Sequence, residues 1–419
     1  MKKLWLGLLI LLFSLLLWTP IVQAAPAGQV SANPNSQQNT PQNTPQNTPQ
    51  TTPQNSSQAS RPNSQNSIDL SQIDQYLTKV DQELAPFIPA LSLNNFLDNL
   101  RHGKVTLDVG AIFTGLLKYL LREVMANAHL LGKLIILGVI MAVIQNLTTA
   151  FEQGTVSKAA QAVVFLVVMT LAIGSLTIAI DLGRTAVTDM VTFMQILFPI
   201  LLTLLAAMGG LASAAIFHPV MVLVLGLLST VVKNVIIPLI FFSAILGFVN
   251  SISNRFQVSR LAGLFRQVSI TLVMLLMTVF IGVISVQGVA GSVADGVALR
   301  TAKFATDAFI PVVGGMFSDA IDAVIGGSLL LKNAVGLVGV IIIFVLCALP
   351  SLKILALIFI YKLAGALMQP MGAGQVADCL EHLEKSLTVL FAAVAVVGLM
   401  FFFAVTIVVG AGNMTTMLR

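Results

Sequence analysis

Two dipeptides stand out because an apolar solvent makes them expensive. Lys233-Asn234 and Lys332-Asn333 each sit at the edge of a long hydrophobic run. An ammonium at bilayer depth costs roughly 3 kcal/mol even on lenient insertion scales. It therefore calls for an acid, a freed carbonyl or water beside it. Pro238 has no N–H and frees a helical carbonyl close to Lys233. Asp319 and Asp322, three apart, share a helix face and can look at Lys332 across a cavity. Lys233, Asn234, Pro238, Asp319, Asp322, Lys332 and Asn333 make up the candidate intramembrane polar site, whose chemistry would be the coupling of an ion or solute to a polar path. The competing explanation is a lysine stem snorkelling from a helix end, or an internal ion pair with no transport role. Both stand for Lys233; the second is preferred for Lys332 and Lys362.

No other constellation carries chemistry. There is no phosphate-cradling loop, paired-histidine metalloprotease motif, nucleophile elbow or dinucleotide fingerprint. No enzyme activity and no cofactor are expected. Asp378-Cys379-x-Glu381-His382 is the one cluster of metal-ligand types, and Asp378 and His382 share a helix face. A solvated helix explains it better, so no metal is assigned. Cys347 and Cys379 are too few for a disulfide framework or a zinc site and read as unpaired thiols.

Composition says what must hold these groups. Of 419 residues, 57% are hydrophobic and 9% charged, with a mean hydropathy of +0.93. A soluble domain carries about a quarter charged residues. A conventional soluble enzyme is excluded, and a bilayer is the solvent for most of the chain. The net charge of +5 does not point to nucleic acid, because the basic residues are scattered and no aromatics interleave with them.

Four regions follow. Residues 1–24 read as a signal peptide, with Lys2 and Lys3, an apolar stretch to Trp18, and Val22-Gln23-Ala24 before the cleavage point; an uncleaved anchor is the alternative. Residues 25–66 repeat Asn-Thr-Pro-Gln and form a disordered linker. Residues 67–133 form an extracytoplasmic amphipathic helical region. Its second stretch, about 107–131, either lies in the membrane interface, packs on the membrane domain or binds a partner. Residues 134–419 form the polytopic membrane domain, with apolar runs at 134–151, 159–180, 190–210, 219–250, 268–290, 334–350, 354–370 and 386–410.

The run 219–250 is too long for one straight crossing and too short for two. Residues 305–333 are interrupted by Pro311 and by Gly314-Gly315 and Gly326-Gly327. The loop 251–267 carries Arg255, Arg260 and Arg266 without an acid and should be cytoplasmic. Parity then requires 219–250 to be re-entrant or discontinuous, which also puts Lys353 (in a 350–354 turn) and Arg419 inside. Pro and Gly pairs ahead of Lys233 and of Lys332 weakly echo each other, as two related halves would.

Long stretches resemble a known family: LLKYLLREVMANAHLLGKL (116–134), FEQGTVSKAA (151–160), LTLLAAMGGLASAAIFHP (202–219), the segment 284–336 from ISVQGVAGSVADG to LLLKNAVG, and VVGAGNMTTMLR (408–419). From about Leu116 to Arg419 the sequence is similar to stage III sporulation protein AE of endospore-forming Firmicutes. That resemblance implies an integral, permease-like subunit of the multiprotein channel between mother cell and forespore, with an ATPase and ring-forming proteins as partners beside membrane lipid. It implies residence in the mother-cell membrane around the forespore, and it brings no catalytic residues. The expectation is an all-α polytopic helical membrane protein of about seven to eight hydrophobic spans, one or two of them re-entrant. A standalone secondary transporter of a small solute and a non-conducting scaffold are the alternatives.

Overall fold

The computed structural model describes residues 109–150, 155–252, 258–309 and 314–417. The signal peptide, the linker, the 67–108 part of the amphipathic region, Arg255 and Pro311 lie outside the described residues. The elements are α1 (Val109–Ala126), α2 (Ala128–Ala150), α3 (Thr155–Ala207), α4 (Leu211–Val231), a π-turn (Val232–Ile236), α5 (Ile237–Ile252), α6 (Ser259–Phe309), α7 (Gly314–Met368) and α8 (Gly374–Met417). The described residues contain no strand, and the fold is all-α.

Six helical stretches are long and apolar enough to cross a membrane: Ala128–Asn146, Ala159–Ala207, Leu211–Ser251, Ser259–Ala298, Val324–Met368 and Gly374–Ala411. The count differs from the sequence expectation because apolar runs fuse. Runs 159–180 and 190–210 both belong to α3, and runs 334–350 and 354–370 both belong to α7. The polar residues between them, Asp181 to Asp189 and Ser351 to Lys353, stay helical because the backbone keeps its own hydrogen bonds, with Asp181, Arg184, Thr185 and Thr188 exposed and Ser351 buried. No turn exists at 350–354; Pro350 and Lys353 lie within α7.

The break expected inside 219–250 is a π-turn, and helical backbone runs from Leu211 to Ile252. Gly326 and Gly327 do not interrupt α7. The basic loop is shorter than 251–267, since Arg260 and Arg266 lie on α6. The first candidate span starts at Ala128 rather than Leu134. Asn127 separates it from α1, donating from Nδ2 to the Glu123 carbonyl at 2.9 Å and accepting from Leu130 N–H at 3.0 Å. Tyr119 of α1 is buried, and α1 packs on α7.

True turns need glycine. Gly209, at φ 89°, follows α3, and Gly210 N–H reaches back to Leu205 O at 3.0 Å. Gly372, at φ 86°, does the same after α7, with Ala373 N–H to Met368 O at 3.3 Å. Both are left-handed C-caps in which the positive φ carries almost no penalty for glycine. They fold α3 against α4 and α7 against α8.

The core is a set of helix–helix seams. The α7–α8 pairing is the most extensive, with α6 and α3 packed on α8 and α4–α5 packed on α6. Met190, Phe193, Phe217, Phe248, Tyr361 and Phe401 are fully buried in it. Small residues let backbones approach, as in membrane bundles generally. Gly398 leaves no space for a Cβ beside Cys347 Sγ, and Gly336 none beside Val409.

These helices are longer than a bilayer needs. At 1.5 Å per residue the 53 residues of α3 extend about 80 Å, against a hydrocarbon core of about 30 Å. On α3 the large exposed apolar side chains lie between Val163 and Ile178, and its second half is packed against the bundle. On α7, Leu330 and Leu367 are both exposed and stand about 55 Å apart along the helix.

Candidate intramembrane polar site

Pro238 organises the surroundings of Lys233. It cannot donate to the α-helical acceptor, Asn234 O, nor to the π-type acceptor, Lys233 O. The chain widens there instead, and Ile237 N–H closes the π-turn on Val232 O. Single π-turns recur at functional positions in helices. Lys233 is half-buried, and its Nζ donates to Thr188 Oγ1 of α3 at 3.4 Å. That hydroxyl donates in turn to Arg184 O at 2.8 Å. Asp181, Arg184 and Asp189 lie on the same stretch of α3. Lys233 thus meets the polar middle of α3. Asn234 is exposed. Asp319 and Asp322 lie on α7, and their side chains are outside the described residues.

Lys332 is buried more deeply than Lys233. It is fully covered, and its Nζ donates to Val409 O of α8 at 2.8 Å. Asn333 carries a buried Oδ1 with no hydrogen-bond partner in the structure. Gly336, one turn on, brings α7 against Val409 and so sets the reach of the lysine. Lys233 and Lys332 therefore bond to different helices, α3 and α8. Lys362, exposed, lies 4.0 Å from Glu384.

Sequence reasoning missed Asp295. This α6 residue is fully buried, and its Oδ1 accepts from Ala212 N–H at 2.8 Å and Ser213 N–H at 3.1 Å. Its Oδ2 lies 3.3 Å from Ser213 N. The first amides of a helix have no intrahelical acceptor, and Gly210 at the N-cap offers no side chain to supply one. A carboxylate there also meets the positive end of the helix dipole. Gly291, one turn before Asp295, has no room for a Cβ beside Ser213. The available signal was Gly209-Gly210 directly ahead of an apolar helix without a capping residue. That pattern demands a distant acceptor but does not say which.

At the opposite end, Gln375 Nε2 donates to Ser251 O at 2.6 Å, joining α8 to α5. A cavity of about 540 Å³ opens there, lined by Asn250, Ser251, Gln375, Asp378, Glu381 and His382. Glu381 pairs with Lys385. Among the described residues no three groups of metal-ligand type come together. Cys379 lies on α8, which begins at Gly374 and buries the thiol fully.

Fold and site together define a multi-pass α-helical membrane protein in which backbone amides and a carbonyl hold the two fully buried ionisable side chains among the described residues, Asp295 and Lys332. The family description "Stage III sporulation protein AE" matches residues 91–412. The curated "Stage III sporulation protein AE" of Bacillus subtilis (strain 168) is 42% identical over 353 residues, covering 84% of this chain and 88% of that relative. The chain belongs to the stage III sporulation protein AE family. No solved structure matches it.

Proposed function

We propose that this protein is the permease-like membrane subunit of a multiprotein channel between mother cell and forespore, needed for endospore formation, and that it has no enzyme activity of its own. The observation that carries the subunit reading is the apolar length of the bundle. Candidate spans of 38 to 49 residues in five of six cases are about twice what a bilayer requires. Tilt within the usual 0–40° range does not absorb that excess. A large exposed apolar side chain left in water forgoes roughly 2 kcal/mol of burial, so the surplus surface calls for protein cover. A carrier acting alone has none; a subunit packed among an ATPase-linked assembly and ring-forming neighbours does. The different partners of Lys233 and Lys332 also speak against a single compact coupling site.

The orientation in this reading follows from six crossings. An extracytoplasmic start brings the α5–α6 connection, with Arg260 and Arg266 on the first turns of α6, to the cytoplasmic side after three. No re-entrant segment is then required. The test is purification of the intact protein from sporulating cells and reconstitution into liposomes. Other channel proteins should co-purify, and the protein alone should move no solute. Solute movement by the isolated chain would replace this reading with the standalone transporter.

A further inference from the structure

The exposed face of α1 is divided into sectors that suit a lipid surface. At about 100° per residue, Phe113, Leu117, Leu121 and Met125 fall within an arc of about 120°. They are 45% to 76% exposed. Lys118 and Arg122, also exposed, border that arc on one side. The sector beyond the two cations holds Gly115 and Tyr119, which are buried against the bundle. Glu123, the acid of this helix, is only partly exposed and lies on the packed side. The helix thus shows three sectors in order: one packed on protein, one apolar and uncovered, one cationic.

We infer that α1 faces lipid, with Phe113, Leu117, Leu121 and Met125 bedded in acyl chains and Lys118 and Arg122 on anionic headgroups. Two observations select lipid as the occupant. The first is continuity. One residue, Asn127, separates α1 from the candidate span Ala128–Asn146, whose Ile136, Val139, Ile140 and Val143 are exposed apolar residues of the same bundle surface. The second is charge. Lys118 and Arg122 edge the apolar arc, and exposed His129 and Lys133 follow on α2, with no exposed acid on either helix among the described residues. A cationic edge along an apolar arc matches the boundary between headgroups and chains, where long basic side chains keep their charge wet.

The experiment uses the full chain with Trp5 and Trp18 changed to phenylalanine, which removes both native indoles. Leu117→Trp is reconstituted into phosphatidylcholine–phosphatidylglycerol vesicles with brominated acyl chains. Its fluorescence should be quenched at least about twofold by the bromolipid and little by aqueous iodide. Val143→Trp, on α2, reports in parallel that the bundle is inserted. Leu121→Trp repeats the reading should Leu117→Trp fail to fold. Removing the phosphatidylglycerol, or introducing Lys118→Gln with Arg122→Gln, should weaken the quenching. Quenching by iodide would put the face in water, and resistance to both quenchers would put it under protein. Either result overturns the inference. Quenching independent of phosphatidylglycerol overturns the headgroup assignment.

Discussion

Asp295 reaches from α6 to the backbone of Ser213 and supplies the cap that the start of α4 does not carry itself. One carboxylate thereby fixes the α3–α4 hairpin against a helix more than 80 positions away in sequence. Replacing Asp295 with alanine leaves two buried amides without an acceptor. The cost is about 1–3 kcal/mol per unsatisfied group. Asp295→Asn keeps one acceptor oxygen and exchanges the other for a donating NH2. Thermal unfolding in detergent should place Asp295→Ala well below wild type and Asp295→Asn between them. Equal midpoints for all three proteins would deny the cap.

The seam between Gly398 and Cys347 gives a paired prediction. Gly398→Ala forces a methyl into the Cys347 sulfur, and overpacking of this kind costs about 1–3 kcal/mol. Cys347→Ala removes that sulfur and should recover part of the loss in the double variant. Accumulation in the membrane and the unfolding midpoint both read it. A double variant as unstable as the sum of the singles would mean that the two residues are not in contact.

Topology is open to thiol labelling in a background lacking Cys347 and Cys379. With the 67–108 region outside the cytoplasm and six crossings, Ser64→Cys and Thr416→Cys should both react with a membrane-impermeant reagent, and Ser253→Cys should be shielded. Sequence alone put the C-terminal Arg419 on the inside. A shielded Thr416→Cys would restore that orientation and make the number of crossings odd rather than six.

For the two lysines the structure and the sequence rank differently. Sequence left both readings standing for Lys233 and preferred a bland one for Lys332, and the structure buries Lys332 more deeply. Methionine matches a buried lysine stem in size, and exchanging a buried charge for an apolar group is often neutral for stability. Lys332→Met should therefore accumulate normally in the membrane. If the ammonium serves the channel, spore yield falls at least about tenfold. Lys362→Met, at an exposed pair with Glu384, should sporulate normally. Normal yield from Lys332→Met would leave this lysine a packing role only.

The all-α class and the stretches that become helices were readable in the sequence, because long apolar runs have few solutions in a bilayer. The joints were not. Gly209-Gly210 and the Asp181–Asp189 stretch both looked like the end of a span. Only the first reverses the chain, since the second carries side chains that a continuing helix tolerates. Pro238 was rightly singled out as a disturbance, but its effect is a wider turn rather than a break. Asp295 stayed hidden because its partner is backbone on another helix, and no spacing within α6 encodes that.

Four helices of 44 to 55 residues without interruption have a mechanical consequence. A helix closed by its own hydrogen bonds is a strut, and a displacement imposed at one mouth of such a bundle arrives at the other. A chain of short spans joined by loops would absorb the same push at each joint. Single prolines inside α3 (Pro199), α4 (Pro219) and α7 (Pro350) each remove one such bond, and the α4–α5 rod adds a wider compliant place, the π-turn beside Lys233, where backbone pairing is loosened by Pro238. Force delivered to α3 meets the α4–α5 rod at that turn, through the bond between Lys233 and Thr188.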